Sequence, residues 1–221
     1  MLIRHESQAA QYATQKEMGN EHSSTNRMAI SAMSHMMKIN KRQLLVLRDH
    51  CVCISEKGKT DSGYQISRSK LLASTTAVNL VHTPDYEVLE KLLILWDKNG
   101  TDRIDPLLFL AGVSPLASVM DVTTKLRFAF EVFDYKQTGT ISRKNMESVL
   151  SAINKVSSFF GDAVLHEMQI GVITDDMFQV RTFGEDEDAV VYADKLFKMA
   201  VHPLTVEFVS GLGTARYGTV Q

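Results

Sequence analysis

The feature that most constrains this 221-residue chain is a pattern that returns at near-equal intervals: an apolar-faced helix, a polar turn, one isolated branched residue, and a second apolar-faced helix. Its clearest copy runs from Leu126 to Ile153. Leu126, Ala129, Phe130 and Phe133 recur at helical spacing, Gly139 marks the turn, Ile141 stands alone, and Met146, Val149, Leu150 and Ile153 share one face of the next helix. Taking Ile66, Ile104 and Ile141 as the isolated residues sets the loops to open at Lys59, Asp97 and Asp134, which lie 38 and 37 residues apart. A fourth copy opens at Gly184 with Val191 as its isolated residue, 50 residues after Asp134. Near-constant spacing of this kind marks a fold built from one repeated supersecondary unit. The expectation is an all-α chain of four helix–loop–helix units.

The segments divide accordingly. Residues 1–40 form a tail, polar up to about residue 27, followed from Met28 by a Met-rich amphipathic segment with Met33, Met36, Met37 and Asn40 at helical spacing. Packing on the domain is favoured over a place in a partner's groove, because methionine fills irregular gaps readily. Residues 41–115 and 116–202 make two lobes of two units each, and 203–221 close the chain. Lys41 to Ile54 reads as a helix carrying Leu44, Leu45, Leu47 and Val52. Thr83 and Pro84 start another, lined by Val88, Leu89, Leu92, Leu93, Leu95 and Trp96. Asp105 followed by Pro106 is a cap and first-turn pair for a third. The fourth unit's entering helix is placed at Asp176 to Phe183, which leaves a lengthened linker in Asn154 to Met168. The final apolar run, LTVEFVS, either folds back on the domain or serves as a docking arm.

A net charge of −2 gives no electrostatic footprint for nucleic acid. The sequence lacks an 18-residue apolar run and a secretory leader, and Leu2 excludes N-myristoylation, so a cytoplasmic protein without a membrane span is expected. Cys51 and Cys53 point about 200° apart on a helix and cannot bridge. His166 and Glu167 begin a zinc-protease pattern, but Ile170 stands where its second histidine belongs. Ser114 lacks the second glycine of a nucleophile elbow. No catalytic residues are assigned, and enzymatic activity is not expected.

The runs KLRFAFEVFD and TGTIS, with WDKNGTDRID before them, resemble the EF-hand superfamily, in particular its calcineurin B, neuronal calcium sensor and calaxin-like branch. The resemblance covers Lys41 to Ala200. It implies paired EF-hands in two lobes, short β-bridges joining Ile66 to Ile104 and Ile141 to Val191, and a hydrophobic groove that takes a partner's amphipathic helix. An EF-hand loop chelates calcium through positions 1, 3, 5, 7, 9 and 12, with a bidentate Glu at the last. Here position 12 reads Lys70, Leu108, Asn145 and Lys195. The first loop carries lysine at both anchoring positions, and the third places Lys136 at position 3. The second is the best preserved, with Asp97, Asn99, Thr101, Arg103 through its carbonyl, and Asp105 as candidate metal ligands. Asp102 holds its turn position and must adopt a left-handed conformation. In the fourth loop the candidates are Asp186 and Asp188.

Without the position-12 Glu the lever of a calcium switch is missing. The resemblance therefore implies a non-catalytic adaptor or regulatory subunit with a protein partner, little or no calcium, and a place in a ciliary or axonemal, hence cytoskeletal, assembly. The alternatives are a calcium sensor acting through the second or fourth loop and a regulatory subunit of a phosphatase or kinase. Partner identity and oligomeric state are left open by the sequence.

Overall fold

The computed structural model describes residues 40–78, 86–97, 100–117, 121–160, 164–179 and 189–211. The Met-rich segment from Met28 to Met37, the Thr83–Pro84 start, Asn99, Asp186 and Asp188 lie outside them. The chain is all-α in character, with nine α-helices and four very short strands among the described residues. None of these helices is long and apolar enough to cross a membrane.

The first helix, α1 (Lys41–Ile54), matches its sequence-based bounds. The Asn40 side chain accepts from the Gln43 amide at 2.9 Å while Gln43 Oε1 accepts from the Asn40 amide at 3.1 Å, a reciprocal cap that fixes where the helix begins. A two-residue hairpin, β1 (Glu56–Lys57) with β2 (Tyr64–Gln65), follows and leads to α2 (Arg68–Ala77), capped by Ser67. Next come α3 (Tyr86–Trp96) and α4 (Pro106–Val113), the latter capped by Asp105. Leu95, expected on the buried face of α3, is instead 39% exposed, since one face of an 11-residue helix is filled by Val88, Leu89, Leu92 and Leu93.

The second half begins with α5 (Val122–Phe133) and α6 (Arg143–Phe160), joined through β3 (Thr140–Ser142). Then come α7 (Glu167–Gln179), β4 (Ala189–Val191), α8 (Tyr192–Val201) and α9 (Pro203–Gly211). Here the sequence-based boundaries move. The stretch expected to be a long linker is mostly helix: α6 runs on to Phe160, with Ile153 and Val156 fully buried, and α7 starts at Glu167, well before Asp176. Asn154 ties the turn between them, donating to the Leu165 carbonyl at 2.8 Å and accepting from the Leu165 amide at 2.6 Å.

One contiguous apolar core runs through both halves. At its centre is α4, buried along nearly its whole length and packed chiefly on α6. The two helices cross at Gly112. A Cβ built there would stand 2.8 Å from the Ala152 carbonyl oxygen, so only glycine permits this approach. The C-terminal run resolves the alternative left by its sequence: α9 folds back against α5, α7 and α8, with Phe208 1% exposed.

Candidate functional site

The polar residues that the sequence singles out gather in the loops, and the second and third loops share an internal geometry. In the second, Asp97 Oδ1 accepts from the Thr101 amide at 2.7 Å and Oδ2 from the Asp102 amide at 2.9 Å. In the third, Asp134 Oδ1 accepts from the Thr138 amide at 3.0 Å and Oδ2 from the Gly139 amide at 2.8 Å. An opening aspartate therefore wraps each turn around itself, bonding four and five residues on. The wrap needs left-handed residues at equivalent places. These are Gly100 (φ 63°) and Asp102 (φ 53°) in one loop, and Gln137 (φ 54°) and Gly139 (φ 72°) in the other.

What surrounds each wrap differs. The second loop is held by the first. Ile66 and Ile104 exchange both backbone hydrogen bonds at 2.9 Å, the pairing their positions suggest. Around that bridge, the Arg68 amide donates to Asp102 Oδ1 at 2.9 Å, and its Nε lies 3.2 Å from the same oxygen and 3.6 Å from Asp97 Oδ2. Ser62 donates to Asp105 twice, from its amide at 2.9 Å and its hydroxyl at 2.7 Å. Asp105 also caps α4, accepting from Leu107 and Leu108 amides at 3.0 and 3.1 Å. Arg103, expected to offer its carbonyl, sends its side chain to Glu56 at 2.9 Å.

The third loop pairs with the fourth through β3 and β4, in a register one residue from that expected: Ile141 faces Val190, and Val191 faces Thr140. Burial decides between the two adjacent valines. Val190 points inward at 2% exposure, while Val191 stays 36% exposed. Counted from Val190, Glu185 and Glu187 take the places assigned to Asp186 and Asp188, and Asp194 replaces Lys195 at the last position. Tyr192 closes the third loop, its ring stacked on Phe130 at 5.8 Å and its hydroxyl 3.4 Å from Asp134 Oδ2.

No protein-family model matches the chain, and no solved structure matches it significantly. The loops must be judged by their own chemistry. Calcium takes six to eight oxygens, several of them from ionised carboxylates. Asp97 has both oxygens engaged by amides, and an arginine stands beside one of them. Burial works against its charge, but the Asp102 and Thr101 amides, the Thr101 hydroxyl and Arg68 outweigh burial and hold the carboxyl below its usual pKa. Asp105 goes the other way. Its burial raises the pKa, with Ser62 and the helix amides offsetting this only in part, so it is a poorer anion at a site already filled with donors. Leu108 adds no oxygen, and among the described residues no three His, Cys, Asp or Glu side chains converge as metal ligands. Among the described residues, which leave out Asn99, the second loop offers a dication few free oxygens.

Among the described residues, clefts flank the loops. One of about 260 Å³ lies between the first and third, where Tyr64 meets Tyr135 edge-on at 6.1 Å. Another, of about 730 Å³, lies between the first two loops and α6–α7, with Trp96 in its wall and Lys155 4.8 Å from the Trp96 ring centre. In that wall Asp61 is paired with Lys144 at 2.6 Å and accepts from Ser148 at 2.8 Å, joining the first loop to α6. The residues that sequence reasoning missed are Arg68, Ser62 and Tyr192. A signal for Arg68 existed: the first loop is rich in cations where its partner loop is rich in acids.

Proposed function

We propose that the chain is a non-catalytic adaptor or regulatory subunit of the EF-hand type, related to the calcineurin B, neuronal calcium sensor and calaxin-like branch. It binds an amphipathic helix of a protein partner and uses little or no calcium. The observation that carries this reading is the pair of apolar stripes on the neighbouring helices α7 and α8. On α7 Met168 and Val172, four residues apart, are 82% and 49% exposed, with Val164 (48%) just ahead of the helix, and on α8 Phe197 and Val201, one turn apart, are 73% and 55% exposed. The two helices are tied side by side by Lys198, which donates to the Asp176 carbonyl, and by His202, 3.3 Å from the Asp176 carboxylate. Four large apolar side chains left at helical spacing on adjoining helices suit a helix-in-groove partner, with Phe197 as the aromatic anchor.

The interior faces of the repeats are consumed by α4 and α9, so this reading puts the docking surface outside the core. A ciliary or axonemal assembly is the setting the resemblance recommends testing first. The experiment is capture of partners from ciliated cells with the wild-type chain and with Phe197→Glu and Met168→Glu. A helical partner retained by the wild type and lost by both variants, at unchanged circular dichroism, supports the reading. Equal capture by all three sinks it.

A further inference from the structure

The acids of the second loop need a counter-charge, and the structure supplies one from inside the chain. The Asp97 side chain is only 2% exposed, so it is cut off from most of the water that would otherwise solvate a carboxylate. Its amide hydrogen bonds direct it but bring no full positive charge. Arg68, the first residue of α2, brings one, placing its Nε between Asp97 Oδ2 and Asp102 Oδ1 at 3.6 and 3.2 Å. Its position is set by structure on both sides: Ser67 caps α2 with a 3.3 Å bond from the Lys70 amide, and the Ile66–Ile104 bridge lies two residues before Arg68. The same strip of chain satisfies Asp105 through Ser62 and receives Arg103 at Glu56.

We infer that the first loop is the permanent ligand of the second, with the Arg68 guanidinium supplying Asp97 with the counter-charge that a metal ion would otherwise bring. The first two loops are thereby held in one arrangement whatever the calcium concentration. This rests on the adaptor reading and gives it a mechanism: the part of the molecule that would switch in a calcium sensor is fixed by a side chain that cannot be deprotonated or diluted away. The substitution of a guanidinium for a dication also explains why a lost position-12 carboxylate is tolerated. One positive charge needs fewer negative partners than two, and Asp97 with Asp102 provides enough.

A double-mutant cycle in the full chain tests it. Arg68→Met keeps the backbone amide that bonds Asp102 and removes only the guanidinium. The expected result is a melting temperature several degrees lower for Arg68→Met and a loss for Asp97→Asn alone. In the Arg68→Met background Asp97→Asn causes a clearly smaller loss, because the amide bond that the variant gives up is lost in either background while the ion pair is already gone. Additive losses, or an Arg68→Met protein as stable as the wild type, overturn the inference. Should Arg68→Met fail to fold, Arg68→Gln, which keeps a polar side chain but removes the charge, completes the same cycle, and the same additivity decides. A calcium titration of the wild type separates the two levels of argument. A melting temperature raised by millimolar calcium, but not by sodium chloride of equal ionic strength, overturns both the inference and the calcium-independent reading. An additive cycle with a calcium-silent wild type removes the inference alone.

Discussion

The second and third loops are the same turn in two different settings. Each is wrapped by an opening aspartate, Asp97 or Asp134, and each places left-handed residues at its fourth and sixth positions. Around the second lie an arginine and a serine of the first loop and a glutamate of the strand before it. Around the third lie a tyrosine and the short β4 strand. The comparison separates two jobs that a metal ion can combine. The shape of the turn is local and needs only one aspartate and two permissive backbone positions. Its surroundings are tertiary: the second loop is given a guanidinium, the third only a neutral hydroxyl.

The largest effect expected of any test falls on what the loops share. Ile104 and Ile141 are 1% and 5% exposed, so Ile104→Ala and Ile141→Ala should each cost about 2–5 kcal/mol in denaturant unfolding. Near-equal costs support a common skeleton, and a loss confined to one loop breaks the comparison. Next in size is the pair at the start of the exiting helices. Asp105→Ala removes a cap and both Ser62 bonds and should cost about 2–3 kcal/mol. Ser142→Ala, which removes only the bond from the Asn145 amide, should cost about 1 kcal/mol.

Smaller effects should appear on titration. Burial, with Asp134 and Glu131 nearby, pushes the Tyr192 hydroxyl from 10.0 up to about 12. In the folded chain it stays neutral while the unfolded chain ionises, so stability should decline between about pH 10 and pH 12. Tyr192→Phe should flatten that decline, and its persistence in the variant would assign it elsewhere. At the acid end the sign reverses. Asp97 ionises below its ordinary 3.8, so its contribution is complete above that value and is lost as pH falls through the lower folded one. Exchange protection of the Thr101 and Asp102 amides should survive at pH 3.8 and disappear only under stronger acid.

Several features could be read from the chain before its fold was known, and each rests on neighbours in sequence. The bounds of α1 follow from the apolar period of Leu44, Leu45, Leu47 and Val52, and the start of α4 follows from Asp105 and Pro106, whereas the Asn40–Gln43 cap emerges only in the fold. The left-handed Asp102 follows from its place in a repeated turn. The start of α7 was harder. Ile170, Ile173 and Met177 mark its buried face, but Gly171 and Thr174, both weak helix formers, blur the period.

What the sequence determined by itself is a repeat of apolar helices around polar turns, because helical period, caps and turn residues act over four or five positions. The fold decided matters of distance. It chose Val190 over an identical valine next to it by burying one of them against Ile141, and it buried α9 on its own domain. It also brought Arg68 to two aspartates some thirty positions away in the chain. Local propensity cannot see such contacts, since the free energy that selects them comes from the burial of apolar faces and the pairing of charges that only the folded chain places side by side.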